Sequence, residues 1–457
     1  MKKIRSINPF SREVNGEFES LSAPRAAREI EASRTAFHAW RALRARERGK
    51  CIIRLGEVLM AGQRGYAETI TREMGKPIRQ SLQEIERCAN IAAYFGKNAE
   101  ELTRDETVST VFKRSYVSFE PLGVILAIMP WNFPVIQALR FAIPTMTAGN
   151  VVVLKPASNV PLCGMAIEGM CAEAGFPRGA FKTLLMDSAT ALGLIRDDLV
   201  DGVSLTGSIS AGSAVGAAAG AGIKTVVLEL GGSDPFLVLD DVNVDAVASA
   251  AVQARFVNAG QSCVAAKRFI VMEKVVGEFS ERFVNHLQAM KVGDPMDEST
   301  DIGPLARPEA REELERQVED ARARGGTVIL GPLPPAGRAF FRPAVILNAA
   351  PDMAVAREET FGPLAPIFSV RDEEEMVELA NSTEFGLGAT IWTGDIARAE
   401  RLARRIDSGF VGINQPVKSD PRLPFGGTKR SGIGRELSHY GVREFTNVKT
   451  VVVQNPR

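Results

Sequence analysis

Residues 123–156 read GVILAIMPWNFPVIQALRFAIPTMTAGNVVVLKP. An apolar run at 123–130 closes on a proline. A stretch of helical character near 135–147 follows, and then a second apolar run, VVVLKP at 151–156. Short unbroken apolar runs suit strands buried on both faces. Two such runs joined by a helix predict a right-handed βαβ unit in a parallel sheet. The pattern continues with GVSLTG at 202–207 and TVVLEL at 225–230, with helical stretches near 160–175, 189–198 and 210–220. Each run ends in glycine, proline or a polar turn. In open α/β sheets ligands bind outside those carboxyl ends.

Outward from this core, residues 22–48 read as a helix. Ser22 can cap it, Pro24 fits its first turn, and Ile30, Phe37 and Trp40 share a face. Ile52, Leu55 and Leu59 continue helical spacing. Residues 103–121 alternate polar and apolar, as a hairpin exposed on one face does. A second α/β set is expected from about 234 to 415, with strands at 235–239, 268–272, 327–330, 389–392 and 410–413. Helices are expected at 244–257, 275–291, 307–324 and 395–407, and the tail NVKTVVVQ, 447–454, reads as one more strand.

The 457 residues are 45% hydrophobic, enough for two or three domains. Lys plus Arg and Asp plus Glu both number 55, with no long basic run, so neither nucleic acid nor an anionic membrane is expected as a partner. The cysteines, Cys51, Cys88, Cys163, Cys171 and Cys263, are few and scattered, which suits a reducing compartment. None has zinc-ligand spacing, so no metal is expected. The start MKKIRSINPF lacks a signal peptide's apolar core, and no apolar run reaches a membrane span. A soluble cytoplasmic protein is the expectation.

Chemistry concentrates at a few turns. Cys263 stands in NAGQSCVAAKRF, 258–269, after a flexible Gly-Gln-Ser and before small residues that could let its backbone N–H face a ligand. Free cysteines are mostly buried and structural; a nucleophilic one needs positive charge or a base nearby. His38, His286 and His439 are the only histidines, and none has a context suggesting a partner. Glu229 ends an apolar strand before Gly231 and Gly232. A carboxylate there is expensive unless it works or is paired, and both readings stand. Asn132, held between prolines in PWNFP, is either an oxyanion donor or a turn residue. Lys155, before Pro156-Ala157-Ser158, is placed to hold a cofactor ribose or phosphate, or is a snorkelling edge lysine. LTGSISAG at 205–212 adds Gly207 and Ser208 at another strand-to-helix turn, without the dinucleotide fingerprint.

Taken together, PWNFP, VLKPA-S, LTGS, ELGG, GQSC, EETFGP and LPFGGTKRSG occur in an order and at separations that resemble the aldehyde dehydrogenase superfamily almost end to end. The resemblance implies an α/β fold with a Rossmann-like cofactor domain, an α/β catalytic domain and a small bridging sheet for oligomerisation. Carried over, the cofactor domain covers 1–102 and 122–231, and the catalytic domain 232–431. The bridging segments are 103–121 and 444–457, and 432–443 returns to pack on the cofactor domain. A homodimer or homotetramer is implied, which would manage the sheet's exposed edges. The same resemblance implies that Cys263 attacks an aldehyde and passes through a thiohemiacetal to a thioester. Asn132 and the backbone N–H of Cys263 hold the oxyanion, and Glu229 activates water. Trp131, Asn132, Lys155, Pro156, Ala157, Ser158, Gly207, Ser208, Leu230, Glu359 and Phe361 would line the cofactor.

Many NAD-preferring relatives carry glutamate where this chain has Ser158, so NADP is expected to be preferred, with NAD usable. Within the family the chain is most similar to the shorter bacterial succinate-semialdehyde dehydrogenases. A substrate carboxylate would then meet Arg140, with Gln137 and Ser419 beside it. Arg140 could equally serve a salt bridge. Glutarate semialdehyde, a neutral aliphatic aldehyde, CoA-acylating chemistry and a non-enzymatic binding role on the same scaffold stay open. Some relatives pair the nucleophile with a second cysteine two positions on; here that position is Ala265, so no local redox pair is expected.

Overall fold

A computed structural model of the chain describes residues 3–336 and 339–455. Two large sheets carry the architecture. The first has six strands in the order Gly432–Ile433, Thr225–Glu229, Gly202–Thr206, Val124–Ile128, Val151–Lys155, Phe181–Thr183. All neighbours run parallel except Gly432–Ile433, which adds antiparallel to the Glu229 strand. Chain order reverses between Val124–Ile128 and Gly202–Thr206, so the crevice for a ligand opens above their carboxyl ends.

The second sheet has seven strands, ordered Thr327–Leu330, Ala344–Leu347, Leu364–Val370, Arg268–Met272, Pro235–Val238, Gly388–Trp392, Phe410–Ile413. Only the edge strand Thr327–Leu330 is antiparallel. Two of these strands were not expected from the sequence. LAPIFSV at 364–370 contains Pro366, which cannot donate to a ladder and so argues against a central strand. Ala344–Leu347 has only four residues.

A three-stranded antiparallel sheet joins Thr446–Val453, Arg114–Pro121 and Glu106–Thr107, with Thr446 opposite Pro121 and Val453 opposite Arg114. The 103–121 segment is thus a hairpin, but its long partner is the C-terminal strand. An amino-terminal hairpin, Lys3–Ile7 with Val14–Glu19, was also not foreseen.

The expected 22–48 helix is two helices, Ala23–Ala42 and Ala45–Ala61. Arg48 explains the break. Its guanidinium turns inward and donates to the Leu43 carbonyl at 2.6 Å, a group that a continuous helix would use otherwise, and to the distant Thr147 carbonyl at 3.1 Å. The first helix buries Ile30, Phe37 and Trp40 against the six-stranded sheet. Trp40 stacks on Phe176 at 5.0 Å, and its Nε1 donates to the Met146 carbonyl. Burying each such side chain contributes about 1.5–3 kcal/mol.

Helix Ile136–Ala148 is buried on every side. Its first turn is held by Glu84, whose Oε1 accepts from the backbone N–H groups of Val135 and Ile136. The other Glu84 oxygen pairs with Lys76, both side chains fully buried, and the Lys76 ammonium sits over the Phe133 ring. One buried pair thereby fixes the segment that begins with PWNFP.

Candidate active site

The first sheet delivers six of the sequence candidates to four strand ends. Val124–Ile128 leads to Trp131 and Asn132, and Val151–Lys155 ends on Lys155. Gly202–Thr206 opens into Gly207 and Ser208, and Thr225–Glu229 ends on Glu229. Lys155 is buried, which lowers its affinity for a proton while Asp187 raises it; its ammonium donates to the Pro156 carbonyl at 3.3 Å. Ala157 is partly buried and Ser158 is exposed at the mouth of this turn. Ser208 caps helix Ile209–Ala221, its Oγ accepting from the Ala211 N–H at 3.3 Å. One turn on, a Cβ at Gly212 would lie 2.5 Å from the Leu230 side chain, so only glycine lets helix and strand approach. Leu230 is packed there. Trp131 meets Phe361 edge to face at 5.8 Å. The turn residues, exposed hydroxyls and buried lysine together fit a dinucleotide.

The Cys263 loop is not the flexible segment that Gly-Gln-Ser suggests. After helix Val244–Phe256, Asn258 and Ala259 both adopt φ 53°, and Gly260 adopts φ 73°. A Cβ on Gly260 would stand 2.3 Å from the Gly362 carbonyl. Side-chain amides then fasten the turn. Asn258 Nδ2 donates to the carbonyls of Asn132 and Gln261, and Asn132 Nδ2 donates to the Gln261 carbonyl at 3.1 Å. Gln261 Oε1 accepts from the Ala306 N–H. Asn132 is therefore tied to the backbone two residues before Cys263, with its own Oδ1 unpartnered.

Burial pushes the Cys263 thiol up to about 11, although Arg140 and Lys267 pull it down and Glu359 and Asp234 push it further up. At neutral pH the free protein holds a thiol. Lys267, only 1% exposed, is a strut. Its Nζ donates to the Cys263 carbonyl at 2.7 Å and to Glu359 Oε1 at 2.9 Å. The same Glu359 oxygen accepts from the Gly232 N–H at 3.1 Å. Cysteine loop, ELGG turn and EETFGP loop meet at this one carboxylate.

A cavity of about 400 Å³ opens at Cys263 and is also lined by Gln137, Arg140 and Ser419, so the structure gathers all three substrate candidates around the thiol. Arg140 is not a free cation. Its Nε donates to Glu436 Oε2 at 2.5 Å and its guanidinium lies 4.3 Å over Phe425, while Nη2 has no partner among the described residues. Burial would weaken its hold on its proton, but Glu436, Glu229 and Cys263 outweigh that and raise it. Glu229 and Asn132 are not on the cavity wall. The Glu229 carboxyl lies beside Gly426, Oε1 unpartnered, and burial plus the nearby Glu436 raise its proton affinity well above the usual carboxylate range.

Sequence reasoning missed Glu436, Lys267, Asp234 and Arg87. Asp234 is buried, accepts from the Gly388 N–H, and is pushed up to about 7 by burial. Arg87 lines the cavity from helix Ile78–Lys97. The available signal was Gln80, Gln83, Glu84 and Arg87, a polar stripe at helical spacing that normally reads as a solvated face. No histidine lines the cavity; His286 pairs with Asp245 elsewhere.

The chain matches the aldehyde dehydrogenase family over residues 1–451. It is 44% identical to a probable succinate-semialdehyde dehydrogenase [NADP(+)] of Synechocystis, over 98% of this chain and 99% of that one. It is 42% identical to the succinate semialdehyde dehydrogenase [NAD(P)+] of Escherichia coli K12, over 98% and 97%. Among solved structures, the succinic semialdehyde dehydrogenase of Streptococcus pyogenes in complex with NADP+ superposes with a TM-score of 0.96 at 34% identity, covering 99% of this chain and 100% of that one. The protein belongs to the aldehyde dehydrogenase family.

Proposed function

We propose that this enzyme oxidises succinic semialdehyde to succinate with NADP+, accepting NAD+ less well. The observation that carries the substrate is the cavity itself: its wall holds both the Cys263 thiol and the buried Arg140, whose Nη2, unpaired among the described residues, suits a carboxylate. The names of the relatives support the same reading.

Cys263 attacks the aldehyde carbon, and we assign the oxyanion to the loop's own N–H and to the Asn132 amide, which stands off the cavity wall but is tied to the loop through the Gln261 carbonyl. The thiol must lose its proton first, and the high proton affinity of Glu229 suits it to receive that proton and later one from water. When bound, the nicotinamide supplies the hydride acceptor. The acyl group stays on Cys263 as a thioester until water, deprotonated by Glu229, releases the acid. Lys155, Ser158, Gly207 and Ser208 would hold the dinucleotide, and Trp131, Leu230, Phe361 and Glu359 would contribute to its binding. Ser158 places no carboxylate near the 2′-phosphate, which favours NADP+.

We assign the six-stranded sheet to the cofactor unit and the seven-stranded sheet to the catalytic unit. Strand Thr446–Val453, at a free sheet edge with Val448 and Val452 exposed, supports pairing between copies in a homodimer or homotetramer. Five free cysteines support a reducing compartment, the cytoplasm. No described helix is long and apolar enough to cross a membrane.

The test is an aldehyde panel with both cofactors, followed at the reduced-nicotinamide absorbance, for wild type and Cys263→Ala. Succinic semialdehyde should have the highest kcat/KM and Cys263→Ala should be inactive. Equal kcat/KM for butanal would refute the substrate. NAD+ exceeding NADP+ by about tenfold, ~1.4 kcal/mol, would refute the cofactor reading.

A further inference from the structure

We propose that Arg87, with Ser419, is the main determinant of specificity for the substrate's distal carboxylate, and that Arg140 is the secondary one. This rests on the succinic-semialdehyde reading above.

Arg140 already has a carboxylate partner in Glu436, and Glu229 is close by. Two carboxylates thus face one guanidinium before any substrate arrives. Arg87 is placed differently. Its Nη2 donates to the Ser419 hydroxyl at 3.1 Å, and among the described residues it has no carboxylate within ion-pair distance. On its own helix, Glu84 is taken by Lys76 and by the N–H groups of Val135 and Ile136, and the adjacent Glu86 is exposed and makes no ion pair with it among the described residues. Burial and the nearby Arg140 both lower the hold of Arg87 on its proton. A largely buried cation beside a second cation, with no carboxylate paired to it and only the already paired Glu84 opposing from a distance, is an unfavourable arrangement. An incoming carboxylate relieves it.

Geometry points the same way. Arg87, Arg140, Ser419 and Cys263 line the same cavity, and Arg87 reaches it from a helix outside both large sheets. A guanidinium binds a carboxylate through two parallel N–H bonds, which fixes the ligand's direction as well as its charge. A four-carbon semialdehyde so gripped presents its aldehyde toward the thiol. A neutral aldehyde gains nothing from Arg87.

The experiment compares kcat/KM for succinic semialdehyde with that for butanal in wild type, Arg87→Met and Arg87→Lys. In Arg87→Met the ratio should fall about 10- to 100-fold, the worth of a charge-assisted contact, and the fall should lie in KM rather than kcat. Arg87→Lys should recover part of it. The melting temperature of ligand-free Arg87→Met should not drop, because a like-charge contact has been removed. Succinate should slow iodoacetamide alkylation of Cys263 in wild type and not in Arg87→Met, a readout that needs no turnover. A wild-type ratio well above one that survives in Arg87→Met within about twofold, less than ~0.5 kcal/mol, overturns the role of Arg87 alone. A wild-type ratio near one overturns the succinic-semialdehyde reading and this proposal with it.

Discussion

Replacing Lys267 with methionine should uncouple the cofactor's grip from the nucleophile without unfolding the protein. Methionine keeps the length and apolar body of the side chain, so packing is largely preserved. What is lost are two hydrogen bonds, to the Cys263 carbonyl at 2.7 Å and to Glu359 at 2.9 Å. Removing one partner of a buried charged pair typically costs about 3–5 kcal/mol. Here Glu359 keeps 22% of its side chain exposed and retains the Gly232 N–H, so water can rehydrate it and the loss should be smaller, about 2 kcal/mol. Functionally, Glu359 loses the strut that aims it. KM for NADP+ should rise about tenfold or more, the worth of ~1.5 kcal/mol, while KM for the aldehyde changes little. Lys267 also pulls the Cys263 thiol down, so its removal should move the thiol above its present value of about 11. Alkylation of the Cys263 peptide, read by mass spectrometry from pH 7 to 10, should be slower in Lys267→Met at every pH. If aldehyde and cofactor KM rise together, or alkylation is unchanged, Lys267 is packing material and the coupling argument fails.

Other perturbations probe other parts of the structure. Glu84→Ala strands the buried Lys76 ammonium and two N–H groups of helix Ile136–Ala148; a loss of about 3–5 kcal/mol should appear as a lower denaturant midpoint, and a loss under ~1 kcal/mol would contradict it. Asp234 is raised from 3.8 to about 7, so between those values the folded state holds a proton that the unfolded state has released. Its contribution must fall as pH rises from about 4 to 7, by on the order of 4 kcal/mol, and is then constant. Asp234→Asn should therefore gain stability relative to wild type at pH 8 compared with pH 4; parallel stability–pH curves would count against it. Trp40→Ala should cost about 3–5 kcal/mol in chemical unfolding, because the ring fills the seam between the first helix and Phe176. Ser158→Glu should lower kcat/KM for NADP+ about 100-fold by like-charge repulsion and spare NAD+; equal losses would place Ser158 away from the 2′-phosphate.

The strand ends were legible in the sequence because buried parallel strands advertise themselves as unbroken apolar runs that stop at turn residues. Asn132, Lys155, Ser208 and Glu229 stand where those runs stop. Strand Leu364–Val370 was hidden by Pro366, and the break at Leu43 by an arginine that caps from five residues away. Arg87 and Lys267 were hidden for a deeper reason. A polar stripe on a helix and a lysine after a turn have the same sequence signature whether they face water or an enclosed cavity. Only the packing of distant segments decides which, as the 332-residue separation between Arg87 and Ser419 shows. Arg140 was legible as a cation near the site. Its partner Glu436, 296 residues away, was not.

Glu436 has a consequence for how the molecule comes to life. A nascent chain that has emerged only as far as residue 420 already contains the thiol, the amide and Glu229, yet its Arg140 lacks the Glu436 partner and the outer edge of the Glu229 strand is open. The segment from Gly432 to Glu436 supplies both. Competence is thereby withheld until synthesis has passed the return strand, and a chain truncated before it carries its reactive group in an unfinished pocket.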